Sequence, residues 1–108
     1  MPSSNVVRGN LAFSALIAPT LSPISVAANT VAEQTFTVQG LMIGDFISVT
    51  KPTTQAGLGI VNARVSAANT LAVAFNNATA ATITPTASEI YTITVDRPES
   101  TPLPDNLS

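Results

Sequence analysis

Apolar and polar residues alternate with a period of two through much of the chain, the pattern of half-buried strands. In IVNARVSA, Val61, Ala63, Val65 and Ala67 share one face, and Ile60, Asn62, Arg64 and Ser66 share the other. TLAVAFN then sets Leu71, Val73 and Phe75 side by side. Pairing Val65 with Leu71, Ala63 with Val73 and Val61 with Phe75 joins the two apolar faces in a hairpin and leaves residues 67–69 as its loop. Asn69 falls where such a loop needs a left-handed residue, which Asn tolerates better than most side chains do. Shorter strands are predicted at PISVAA, at TFTVQ with Phe36 and Val38 on one side, and at FISVT with Phe46, Ile47 and Val49. A further one at IYTITV sets Tyr91, Ile93 and Val95 against Ile90, Thr92 and Thr94. Between TFTVQ and FISVT lies GLMIGD, where Gly40, Gly44 and Asp45 are turn chemistry.

About six to seven short strands separated by turn signals predict an all-β fold, an antiparallel β-sandwich. Its expected core contains Phe36, Phe46, Phe75, Val65, Leu71 and Ile93. No helix is expected, although LAFSALIA has the composition for a turn or two. The tetrapeptide AANT stands at 27–30 and again at 67–70, each time between strand-like runs, and reads as reuse of a good turn.

Composition divides the chain into an apolar leader (1–20), a β-sandwich region (21–97) and a Pro-rich tail (98–108) whose prolines cannot serve a central sheet. Leu11, Phe13, Leu16 and Ile17 in the leader suit either the sandwich core or an extended arm laid across a partner. In the tail, Pro98, Pro102, Leu103 and Pro104 suit contact between subunits, because extended proline segments lose little entropy on docking. The leader imitates a secretory signal, with Arg8 before an apolar octet. Pro19 and Pro23 interrupt it, however, so cleavage is not expected.

Only 9% of the residues are charged, against roughly 25% in ordinary globular chains. A surface left to Ser, Thr, Asn, Ala and exposed aliphatics suits an oligomer or a lattice better than a free monomer. The cations Arg8, Lys51, Arg64 and Arg97 lie far apart in sequence, so nucleic acid is not an expected partner. No apolar run approaches the roughly 20 residues of a membrane span, and a membrane is not an expected partner either.

Histidine and cysteine are absent, which excludes the common nucleophilic triads, a disulfide framework and thiolate zinc sites. A two-carboxylate mechanism would have to draw on Glu33, Asp45, Glu89 and Asp96. Each lies at or near a predicted turn or strand end, where a solvated carboxylate is the ordinary state, so the expectation is no enzyme, no catalytic residue and no cofactor. Asp96, Glu99 and Asp105 are the nearest acidic grouping, but they lack the spacing of a hard-cation site, and no metal is expected. GLG at 57–59 lacks the third glycine and the helix of a dinucleotide fingerprint, and reads as a bend before the hairpin. Asn77-Ala78-Thr79 and Asn106-Leu107-Ser108 fit the glycosylation pattern.

Residues 36–98 follow a recurrent order: a strand, a Gly-x-x-x-Gly-Asp turn, an ARVSA strand, an Asn-x-Thr turn and a final Tyr-x-Ile-x-Val strand. In this order the chain resembles the small β-domains of tailed-bacteriophage structural proteins. The resemblance covers about two thirds of the chain and carries no catalytic motif. It implies an immunoglobulin-like sandwich in a virion protein, a capsid decoration (cement) protein on the outer surface of the capsid. It further implies that the chain forms a homotrimer and binds the major capsid protein. The alternative is a head-fibre or tail-associated receptor-binding module. Such a module is expected to expose loop aromatics, of which this chain has few.

Overall fold

The computed structural model of the chain describes residues 11–99. The described part is all-β, with strands β1 (Leu11–Ile17), β2 (Thr20–Leu21), β3 (Thr30–Thr37), β4 (Phe46–Thr50), β5 (Leu58–Ala67), β6 (Thr70–Asn77), β7 (Glu89–Ile90) and β8 (Thr92–Pro98). Two three-stranded antiparallel sheets, ordered β1-β8-β4 and β3-β6-β5, share one core, and β2 pairs with β7. The arrangement is β-sandwich-like. Strands β4 and β5 lie against each other and close one side. Among the described residues, β1 and β3 form the other two edges.

The core is built from the period-two faces. Leu71, Val73 and Phe75 of β6 and Ile93 of β8 are fully buried, and Val65 and Val95 nearly so. Ile17, Phe36, Ile47, Val49, Leu58 and Ile60 pack around them. Phe46 departs from its expected core position and is 55% exposed. FISVT holds three large apolar side chains in four positions, and strand geometry admits only alternate ones to the core. Ile47 and Val49 face inward, which turns Phe46 outward, opposite Asp96.

The hairpin forms with Val65 opposite Leu71 and Ala63 opposite Val73, as the pattern predicts. A register step between Ile60 and Asn62 then places Ile60, not Val61, opposite Phe75. Val61 is the extra residue of a bulge and stands 56% exposed. Asn69 does adopt the left-handed conformation, with φ of 59°. Its loop is tighter than expected, because Ala67 already pairs with Thr70.

The second AANT turn has the same construction. Asn29 has φ of 52°, and Thr30 Oγ1 donates to Ala28 O at 2.9 Å as Thr70 Oγ1 does to Ala68 O at 3.2 Å. Each turn starts a strand of the β3-β6 pair, whose ends lie opposite one another. Each Asn N–H reaches a loop carbonyl, Asn29 to Thr79 O at 2.9 Å and Asn69 to Leu41 O at 2.8 Å.

Three expected elements shift. Strand β3 begins at Thr30, five residues before TFTVQ, since Ala32 and Gln34 continue its inner face with too little hydrophobicity to signal it. PISVAA forms no strand; only Val26 bridges to Ile83. IYTITV is interrupted at Tyr91, whose N–H donates to Pro19 O at 2.9 Å.

Candidate docking surface

The four carboxylates considered for chemistry each have a separate partner. Glu33 accepts two hydrogen bonds from Arg64, at 2.9 and 2.8 Å. Arg64 stands opposite Ala72 and Glu33 opposite Ala74, so the pair crosses the outer face of β6. The two alanines give it room and are themselves buried beneath it, at 0% and 8% exposure. The Arg64 guanidinium holds the Glu33 carboxyl below its usual pKa. Glu89 accepts from Thr53 Oγ1 at 2.6 Å, and Lys51 Nζ stands 3.0 Å from its Oε1. The Thr53 hydroxyl first, and Lys51 second, lower the pKa of Glu89. Asp96 accepts from Ser14 Oγ at 2.6 Å. Among the described residues no group of three or more acidic, Cys or His side chains lies together as a metal site would require.

Asp45 organises one end of the molecule. Arg97 donates to both its carboxylate oxygens at 2.8 Å and to Gly40 O at 2.7 Å. Asp45 Oδ2 also accepts from Met42 N at 3.0 Å, and Met42 O accepts from Asp45 N at 3.1 Å. Asn69 Oδ1 accepts from Gly40 N at 2.8 Å, tying this turn to the hairpin loop. Gly40 and Gly44 adopt φ of 94° and 100°, the region in which glycine replaces a strained side chain. The Asp45 side chain is 1% exposed. Its bond to Arg97 lowers its pKa against the opposing effect of burial. This bracing displays Met42 and Ile43 at the tip, 52% and 67% exposed.

Two buried polar side chains differ in their bonding. Asn77 is fully buried; its Nδ2 donates to Val26 O at 3.0 Å and Ala81 O at 2.8 Å, and its Oδ1 accepts from Thr79 N at 2.9 Å and Thr79 Oγ1 at 2.7 Å. A fully bonded, buried amide is inaccessible to a glycosylating enzyme in the folded chain, whatever its sequon says. Asn106 lies outside the described residues. Tyr91 is equally buried, but its hydroxyl has no hydrogen-bond partner among the described residues, and burial followed by the Glu89 charge raises its pKa.

The residues expected to meet a partner separate in the structure. Leu11, Phe13, Leu16 and Ile17 belong to β1, which takes up the described part of the leader as a sheet strand. Ile17 packs against the core, while Leu16 is 71% exposed on the outer face opposite Thr94. Leu11 is 48% exposed beyond a register step at Ala12. Phe13 is 42% exposed, with the Arg97 guanidinium 4.5 Å from its ring centre. A cleft of about 210 Å³ runs beside it, lined by Phe13, Ala15, Ile17, Leu41 and Val95 together with Gln39 and Gly40. Pro98 closes β8 and is buried; Pro102, Leu103 and Pro104 lie outside the described residues.

The outer face of β1-β8-β4 therefore carries Leu16 and Phe46 with Asp96 as its charge, and it adjoins the Met42–Ile43 tip. Sequence reasoning missed Phe46, Met42 and Ile43. The available signal was an apolar pair inside a Gly-x-x-x-Gly turn, where a loop bears side chains that no core requires. Comparison with protein-family models, with curated proteins and with solved structures yields no match.

Proposed function

We propose that the chain is a structural protein that stabilises a larger protein shell by docking its apolar end, namely a bacteriophage capsid decoration (cement) protein on the outer surface of the head. The observation that carries the reading is the braced tip: Met42 and Ile43 are exposed on a turn held by Arg97, Asp45 and Asn69, beside exposed Phe46. Apolar side chains on a preorganised backbone lose little entropy on docking, the economical way to bind without chemistry. Contacts of roughly 800 Å² per partner, repeated by symmetry, can brace a shell. With so few charges, the binding is expected to depend weakly on salt.

Strand order supports the immunoglobulin-like form of this reading. With β1, β3, β4, β5, β6 and β8 taken as strands A to F, the sheets are B-E-D and A-F-C. The first set and the F-C pair recur in that fold, with β1 standing where strand G would pair. Tyr91 precedes strand F as a corner tyrosine would, although among the described residues its hydroxyl lacks the corner's hydrogen bond.

Quantitative mass spectrometry of purified virions tests the role. A copy number near one per major capsid subunit is the expected result. A few copies per particle would favour the fibre or tail module, and absence would overturn both. Binding of the purified chain to undecorated capsids should be lost in Ile43→Asp and retained in Val61→Asp, on the opposite sheet.

A further inference from the structure

The four outer strands of the two sheets are guarded unequally. Strand β3 carries Glu33, β5 carries Arg64 and two register steps, and β4 lies against β5. These are the usual protections against a further strand: charge, bulge and cover. Strand β1 has seven residues, LAFSALI, with no charge and no proline, and no strand pairs with its outer side among the described residues. Its single register step, at Ala12, leaves Phe13–Ile17 regular against β8.

We infer that β1 is the pairing edge for a second copy of this chain, β1 against β1, joining two β1-β8-β4 sheets into one continuous antiparallel sheet. The sequence of the regular stretch argues for this occupant. A twofold axis through Ala15 sets Phe13 opposite Ile17 of the copy, an aromatic facing a β-branched residue, which is a favoured cross-strand pair. Ser14 meets Leu16, and the smallest side chain stands at the axis, where it meets itself. No charge opposes its like across the seam: Asp96 and Arg97 on the neighbouring β8 are already bound by Ser14 and Asp45. A twofold axis perpendicular to the sheet keeps both inner faces on the same side, so each core stays covered. Two such short stretches bury less than the roughly 1,200 Å² of stable small interfaces, so the dimer is concentration-dependent. The inference stands apart from the capsid reading, and the threefold assembly implied by the family resemblance would need a different seam.

Sedimentation equilibrium on the full chain, titrated into the high micromolar range, should show association towards twice the 11.0 kDa chain mass. Leu16→Asp sets a carboxylate opposite Ser14 of the copy, beside the Asp96 that Ser14 serves, and this like-charge contact should weaken association by about threefold. Ile24→Asp, at an equally exposed residue away from β1, should leave association unchanged. Because the chain has no cysteine, Ala15→Cys should form a disulfide-linked dimer under mild oxidation far faster than Ile24→Cys does. A monomer throughout the titration, a trimer, or a dimer in which Ala15→Cys crosslinks no faster than Ile24→Cys would overturn the proposal. Capsid binding is measured separately, so either reading can fail alone.

Discussion

The two sheets meet in one core but finish their outer faces differently. In β3-β6-β5 the middle strand is buried from Leu71 to Phe75 on both faces, because Arg64 and Glu33 reach across Ala72 and Ala74. Its buried amide, Asn77, has every polar atom bonded. In β1-β8-β4 the middle strand is buried on alternate residues only, the outer face shows Leu16 and Phe46, and the adjoining Tyr91 hydroxyl is without a hydrogen-bond partner among the described residues. The first sheet covers its middle strand from within the chain and leaves Val31 and Val61 exposed only on its flanking strands. The second leaves its middle strand half covered, between exposed Leu16 and exposed Phe46.

Two phenylalanines give the largest expected contrast. Phe75→Ala should cost about 3–5 kcal/mol in chemical denaturation, the cost of a cavity beneath a fully buried ring. Phe46→Ala should cost less than about 1 kcal/mol, as surface positions do. Equal losses would mean that Phe46 is core and that the exposed face of β1-β8-β4 does not exist.

Next in size are the buried polar groups. Asn77→Ala strands carbonyls and the Thr79 N–H, and should cost about 1–3 kcal/mol. Tyr91→Phe removes a hydroxyl that makes no hydrogen bond among the described residues and should leave stability within about 0.5 kcal/mol of the parent, or raise it. A large loss in Tyr91→Phe would show that this side of the core is as fully bonded as the other.

The smallest effect concerns pH and the tip. Asp45 is held below the ordinary carboxylate pKa of about 3.9. A depressed folded pKa gives stability that is fully present above the unfolded value and disappears as pH falls through the folded one. Thermal melts should therefore be flat in this respect above about pH 5 and decline below about pH 4. Asp45→Asn should flatten part of that acid decline; an unchanged profile would assign the acid sensitivity to Glu33 and Glu89, whose pKa values are also lowered.

Much of the fold was legible because a period of two is a local property. FISVT, the hairpin strands and the buried Tyr91, Ile93 and Val95 face could each be read from neighbouring side chains alone, and Asn69 advertised its own left-handed turn. The leader gives no strand signal in the sequence because the outer face of β1 carries apolar Leu16 as well, which blurs the alternation. Leu11, Phe13, Leu16 and Ile17 were legible as apolar residues for either the core or a partner, and the structure divides them, Ile17 inward and Leu16 outward; the exposure of Phe46 and of the tip was not legible. Phe46 was misplaced because β4 offers two candidate faces, and only its pairing with β8 selects one.

Local pattern and composition are enough to make the chain β-rich, with short strands, turns at Asn and Gly, and little surface charge. Which apolar residues stay outside depends on strand pairing. A bulge at Val61 shifts the inward position to Ile60, and Arg64 meets Glu33 only because β6 lies between their strands. Arg97 braces the Met42–Ile43 turn through Asp45, which is 52 residues away from it in sequence. Exposure depends on which strands become neighbours, a long-range outcome that no run of adjacent residues encodes.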